Sequence, residues 1–364
     1  MGMAAGEPGI MGLEDFTAAL DWQARHAEEN GAPATARVIR ALAWVRASDT
    51  ATGRRIAGWQ GLTLKDAMPL RIAGGFHHLL LTGADARLGA VYSGEVTDQA
   101  EVDALVLDLA HRFDARLLPW LDGPPQTNEA GRAASIMAGL LWLAARVASP
   151  RFDLFELGAS AGVNTMIERY FFRLGETEVG PEASPMRIVP EWKGASPPAP
   201  PAGFAIASVK GCDIAPIDLA DPEAALRLKA YVWPDAGERM ARIDAAIALA
   251  GQQPPDLVAA DAGDFATAML ARPPQPDIAR VMFHSIMWQY MPAATQSRIT
   301  AAFEAAGTVA TPDTPLGWIA LETDPATFRH ELRVRLWDGA GHRGEEHLLS
   351  HAHPHGAWVE WLAG

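Results

Sequence analysis

Apolar positions in the first 150 residues recur with a helical period. In "LEDFTAALDWQARHAEEN" Leu13, Phe16, Leu20 and Ala24 share one face, as a 3.6-residue repeat requires. "ARVIRALAWVRAS", "LRIAGGFHHLLLTG", "EVDALVLDLAHRFDARLLPWL" and "NEAGRAASIMAGLLWLAARVA" read as further helices, with few strand signals between them. The pattern predicts a disordered N-terminus over 1–12 and an all-helical lobe over 13–150.

The pattern changes at Pro150. "RFDLFEL" is a short apolar run bounded by proline and glycine, which predicts a buried strand. A glycine loop follows, then "GVNTMIERYFFRL", read as a helix, and a proline-rich excursion over 181–203. "FAIASVKGCD", "PDLVAADAGD" and "ARVMFHSIMW" read as strands, with helices "PEAALRLKAYVW", "GERMARIDAAIALA" and "TQSRITAAFEAAG" between or after them. "LGWIALETD" and "HELRVRLWDG" lie close enough for an antiparallel pair, and "AWVEWL" reads as the strand that closes the sheet. Alternating strands and helices predict an α/β domain over 151–364: a Rossmann-like, doubly wound, mostly parallel sheet with an antiparallel C-terminal hairpin.

Composition narrows the function classes. The chain has 364 residues, 49% hydrophobic and 20% charged, as in an ordinary globular protein. A net charge of -14 argues against nucleic-acid or anionic-membrane partners, which need a basic footprint. The single cysteine, Cys212, excludes an intramolecular disulfide and a cysteine-rich zinc site, and suits a reducing cytoplasm. The N-terminus lacks the features of a signal peptide, and no apolar run is long enough to span a bilayer. A cytoplasmic protein acting on a small molecule is the expectation. Nothing in the sequence sets its oligomeric state.

In open α/β sheets ligands sit beyond the carboxyl ends of the strands. The predicted strand ends carry Glu156 with Gly158 and Gly162, then Asp213, then Asp261 with Asp264, then the stretch His284 to Tyr290. Glycines permit tight turns and close ligand approach. A helix over 163–172 would offer a positive dipole end. Carboxylates accept hydrogen bonds from ribose hydroxyls or an adenine amine. Such an acid-rich set suits a cationic cofactor better than a pyrophosphate.

From residue 152 to about 324 the chain resembles class I S-adenosylmethionine-dependent methyltransferases. "LFELGASAG" is similar to that family's first motif. The resemblance implies that Glu156, Gly158, Ser160 and Gly162 line the methionine part of S-adenosylmethionine, and Asn164 is a further cofactor-binding candidate. It implies Asp213 as the ribose acid and Asp261 or Asp264 as the adenine-side contact. "RVMFHSIMWQYMP" resembles the segment that holds cofactor and substrate, which nominates His284 and Tyr290 as catalytic and Trp288 as a substrate contact. The whole chain, roughly 15–362, also resembles an uncharacterised bacterial domain-of-unknown-function family, number 2332, through "PPQTNEAGR", "ELGASAGVN", "VWPD" and "FHSIMWQY".

Other readings stay open. Gly158-Ala159-Ser160-Ala161-Gly162 fits the G-x-S-x-G elbow of an α/β serine hydrolase, with Asp261 and His284, or one of the C-terminal histidines, as nominated partners. Ser160 in place of the middle glycine, and a displaced ribose acid, fit a non-catalytic binding protein on a decayed cofactor fold. Glu178 lies near the roughly 20-residue spacing expected of a ribose acid and competes with Asp213. His284 is either a core histidine or a general base. In "QTNEAGR" Thr127 or Asn128 is a natural helix N-cap. Arg132 would pair with Glu129 one turn away, or all three polar residues, Asn128, Glu129 and Arg132, would face substrate. Trp192 in the proline-rich segment either closes over substrate or anchors the loop. The C-terminal histidines read as a solvated hairpin, with no metal expected.

Overall fold

Helix α2 (Pro33–Ala47) starts on a proline, and its first free amides are satisfied from a distant part of the chain. Asp235 accepts from the N–H groups of Ala34 and Thr35 at 2.7 and 3.2 Å, replacing the missing helical partners. A computed structural model describes residues 16–61, 63–64, 66–123 and 125–363. The segment 1–12, expected to be disordered, lies outside the described residues.

Before α2 comes α1 (Phe16–Glu29). After it come α3 (Ala51–Ala57), α4 (Met68–Leu81), α5 (Arg87–Tyr92), α6 (Gln99–Arg112) and α7 (Asp114–Leu117). Their apolar stripes meet in one core that includes Leu42, Ile72, Phe76, Val106 and Trp120. Each such side chain contributes about 1.5–3 kcal/mol on burial. Ala230 and Trp233 belong to the same core.

The chain divides into two compact units: the described residues up to Thr127 with Asp221–Asp244, and Asn128–Ala220 with the chain from Ala245 onward. This differs from the boundary at residue 150 that the pattern suggests. Helix α8 (Ala133–Ala144) belongs to the second unit, because it is apolar all round and every residue in it is buried.

The second unit is built on a nine-stranded sheet. Its strands are β1 (Arg151–Leu157), β5 (Glu191–Lys193), β6 (Ala205–Asp213), β7 (Leu257–Ala259), β8 (Ala279–Ser285), β9 (Leu316–Thr323), β10 (His330–Trp337), β11 (Arg343–Ala352) and β12 (Trp358–Trp361). Their order is β5-β12-β11-β10-β9-β8-β1-β6-β7. β7, β6, β1, β8 and β9 are parallel neighbours, while β9 to β12 form an antiparallel meander. Progress along the sheet reverses beside β1, which leads first to β6 and later to β8. A small second sheet joins β2 (Phe171–Leu174), β3 (Thr177–Val179) and β4 (Arg187–Ile188).

Helices α9 (Pro222–Ala230) and α10 (Gly237–Gln252) lie between β6 and β7, with α9 and the start of α10 counted in the first unit. Helices α11 (Ala262–Ala271) and α12 (Ala293–Gly307) cover one face of the sheet through Phe155, Leu157, Phe265, Met282, Phe303 and Trp318. Side chains alternate along a strand, so Glu156 points to the other face, where α8 packs on β9 and β10. Among the described residues no helix is long and apolar enough to cross a membrane.

Three elements differ from expectation. Residues 162–174 do not form a helix: a short 3-10 turn, Asn164–Arg169, breaks at Met166 and leads into β2. "TMIERYFFRL" is rich in β-branched and aromatic residues, and its second half pairs as a strand. The proline-rich excursion is ordered enough to contribute β4 and β5. It also places β5, not the terminal strand β12, at the sheet's edge.

Candidate functional site

The buried strand β1 delivers Glu156 to the reversal point, only 1% exposed. The chain then passes through three left-handed residues within five: Gly158 (φ +66°), Ser160 (φ +52°) and Gly162 (φ +72°). At Gly162 a Cβ would come within 2.7 Å of Pro255, so glycine is required for space as well as for φ. Ser160 has no such excuse, and a left-handed non-glycine residue costs about 1–2 kcal/mol.

Hydrogen bonds hold the loop in this shape. Ala159 N–H donates to the Cys212 carbonyl at 2.8 Å, and Gly162 N–H to the Ala159 carbonyl at 2.7 Å. Ser160 N–H donates to Asp213 Oδ2 at 2.8 Å, and Val163 N–H to Asn128 Oδ1 at 2.7 Å. The Ser160 carbonyl accepts from Ile217 N–H at 3.1 Å. Gly211 on β6 makes this docking feasible, since a Cβ there would lie 2.7 Å from that of Ala159.

Those loop amides are therefore engaged within the protein. The expected positive helix end is absent, because a six-residue 3-10 turn replaces the helix. What faces inward instead is a set of side-chain atoms: Glu156 Oε2, Ser160 Oγ, and both Asn164 Oδ1 and Nδ2 are buried without a hydrogen-bond partner. Burial pushes the Glu156 carboxyl well above its usual range, and the charge of Asp213 adds to the rise. The Asn164 amide and the Arg132 guanidinium oppose it. Asn164 therefore lies close enough to Glu156 for its amide to favour the charged form. This environment favours a neutral carboxyl, since an isolated buried charge is expensive.

Several nominated residues have different tasks. Asp213 is a loop brace: besides Ser160, it accepts from Ala215 N–H at 2.9 Å. Asn128 does not cap the following helix; it braces Val163. Arg132 donates through Nε to the Pro354 carbonyl at 2.9 Å and through Nη1 to the Ser285 carbonyl at 3.2 Å, so it is tied to backbone. Glu129 is buried and lies 3.6 Å from His355 Nδ1.

Asp261 caps α11 through the N–H groups of Gly263 and Asp264. Asp261 and Asp264 both pair with Arg298, at 2.5 and 2.7 Å, so neither presents a carboxylate without a cation beside it. Glu178 sits on β3 in an ion pair with Arg173, on the small sheet and not at a strand end of the large one.

His284 is not arranged as a general base. The Trp318 indole N–H donates to its Nε2 at 2.9 Å, which fixes that nitrogen as the acceptor. Nδ1 then carries the proton and donates to Glu322 Oε1 at 2.7 Å. Both ring nitrogens are engaged, and the ring is 1% exposed. Trp288 stacks on this ring with centroids 4.9 Å apart, whereas Tyr290 is 77% exposed. Trp192 lies on the edge strand β5 against Trp361, six strands from β1, and acts as an anchor there. Among the described residues no three histidine, cysteine or acidic side chains come together as a metal site.

Sequence reasoning missed Gly211, Met287, Trp318 and Glu322. Glu322 was accessible to the same strand-end logic, since it lies one residue before the end of β9. Met287 carried no signal, because its importance is a contact: a Cβ on Gly158 would fall 2.7 Å from Met287 Cε.

A family profile described as "Uncharacterized protein conserved in bacteria (DUF2332)" matches residues 17–361. The chain belongs to this family. Searches of curated proteins and of solved structures found no match. Membership in the family brings no activity with it.

Proposed function

We propose that the second unit is a Rossmann-like, methyltransferase-type domain that binds S-adenosylmethionine and acts on a small molecule. The observation that carries this reading is the buried set Glu156 Oε2, Ser160 Oγ and Asn164 Oδ1 and Nδ2, without partners and at the end of β1. Leaving such groups unmatched costs about 1–3 kcal/mol each, a cost that a complementary ligand removes. Two acceptors and two donor-capable groups match an amino-acid end: Glu156 and Asn164 Oδ1 would accept from the ammonium, and Asn164 Nδ2 and Ser160 would donate to the carboxylate.

Strand order supports the same reading. The parallel strands run third-second-first-fourth-fifth, and in such sheets ligands sit where the order reverses. Asp213 braces the loop yet is only half-buried, and a carboxylate has lone pairs left for ribose hydroxyls. The bound cofactor would supply an electrophilic methyl group. The protein's part would be to orient it and exclude water, which can suffice without a base.

The hydrolase alternative finds less support. Ser160 Oγ has no hydrogen-bond partner, and the nominated base His284 has both nitrogens engaged. Equilibrium dialysis of the folded protein against S-adenosylmethionine, with ATP as a control, tests the proposal. Retention of the first and not the second is expected; no retention of S-adenosylmethionine would remove it.

A further inference from the structure

Beyond β8 the chain turns in a conformation that a β-branched residue resists. Ile286 has φ +49°, where its Cβ crowds the following carbonyl. The turn is pinned from β9: Ile286 N–H donates to the Leu321 carbonyl at 2.8 Å and Met287 N–H to Glu322 Oε1 at 3.1 Å. The same carboxylate oxygen accepts from His284 Nδ1, and Trp288 lies flat on the His284 ring.

These contacts set Met287 against Gly158, at the start of the glycine loop. A Cβ built on Gly158 would lie 2.7, 3.0 and 3.1 Å from Met287 Cε, Cγ and Cβ. Gly158 stands between Glu156 and Ser160, whose buried oxygens lack partners. The arrangement therefore stores two penalties, a left-handed isoleucine and unmatched polar atoms. A strained residue persists only where surrounding contacts over-determine it, and such strain gathers at ligand clamps and switches. Both penalties vanish if the turn swings away and a polar ligand enters.

We propose that Met287, carried on the Ser285–Trp288 turn, is a gate over the Gly158–Gly162 loop, latched by Glu322 and displaced by the ligand that pairs with Glu156, Ser160 and Asn164. This rests on the loop being the S-adenosylmethionine site proposed above. It gives the His284–Glu322 pair a positioning role, since together they hold the gate's backbone.

Two substitutions push the gate in opposite directions. Met287→Ala removes the side chain that covers Gly158 and favours opening. Ile286→Asn keeps the closed turn but relieves its strain, because asparagine tolerates the left-handed region. Two readouts apply to the full chain: amide hydrogen exchange of 286–291 without ligand, and the association rate of S-adenosylhomocysteine by stopped-flow.

Exchange and association should both be faster in Met287→Ala and slower in Ile286→Asn, each by about fivefold or more. Equal exchange in all three proteins overturns the gate, and so does faster exchange in both variants, which signals general loosening. Equal association rates with measurable binding overturn it while leaving the cofactor reading standing. If no protein binds, the cofactor reading fails, and the exchange pattern alone decides whether the turn opens.

Discussion

The carboxylate of Asp213 accepts the N–H of Ser160 at 2.8 Å, so the residue expected to bind a ribose is first of all a brace for the glycine loop. Its second oxygen holds Ala215 N–H. Replacing Asp213 with alanine leaves two backbone donors without their acceptor and a left-handed serine without its restraint. A loss of about 1–3 kcal/mol is expected in urea unfolding, with Asp213→Asn losing less because one acceptor oxygen survives. Equal stability of Asp213→Ala and wild type would contradict the bracing role.

Ser160 should behave in the opposite sense. Its hydroxyl oxygen is buried without a partner. Ser160→Ala removes that unmatched group, and the ligand-free protein should gain up to about 1–2 kcal/mol against urea. The same variant should bind S-adenosylmethionine less tightly. A destabilised Ser160→Ala protein would mean that the hydroxyl is satisfied in solution.

Glu156 and His77 make stability depend on pH in different windows and with opposite signs. Burial raises the Glu156 carboxyl in the folded state. Above the unfolded carboxylate range the unfolded chain has lost a proton that the folded one keeps, so stability falls as pH rises until the folded value is passed. Glu156→Gln lacks this slope, and its stability relative to wild type should climb from about pH 4.5 upward and then level off. His77, donating from Nδ1 to the Ala230 carbonyl, is pushed down to about 4 by burial. Its stabilisation is complete above the unfolded value near 6.5 and is lost as pH falls towards 4. His77→Gln should flatten that acidic limb. Urea midpoints measured from pH 4 to 9 check both; a constant difference from wild type across the range contradicts the corresponding burial effect.

The tautomer of His284 is a direct consequence of Trp318. Long-range nitrogen–proton correlation spectra should show a protonated Nδ1 and an unprotonated Nε2 in wild type. An Nε2–H tautomer would contradict the Trp318 contact and reopen the general-base reading.

Much of the fold was legible in the pattern of residues. The strands β1, β6, β7 and β8 and the antiparallel β9–β10 pair follow from short apolar runs bounded by glycine, proline and acids. The segment after Gly162 was not legible, because "TMIERYFFRL" has the apolar spacing of a helix and the residue types of a strand. Sequence proximity likewise could not show that α9 packs with the N-terminal helices, which depends on His77 of α4 meeting the Ala230 carbonyl at the end of α9. At the site, the strand-end rule found Glu156, Asp213 and Asp261. It could not distinguish a carboxyl buried with an unpartnered oxygen from one that braces a loop or caps a helix. That distinction lies in which N–H each one accepts, and it depends on the folded structure.

The central claim is that Glu156, Ser160 and Asn164 form a ligand site for S-adenosylmethionine. Calorimetric titration of the folded wild-type protein and of Asn164→Ala tests it most directly. The account predicts one equivalent bound by wild type and affinity at least about tenfold weaker in the variant, the equivalent of about 1.4 kcal/mol. No binding of S-adenosylmethionine or S-adenosylhomocysteine by wild type, or equal affinity in the variant, would contradict it.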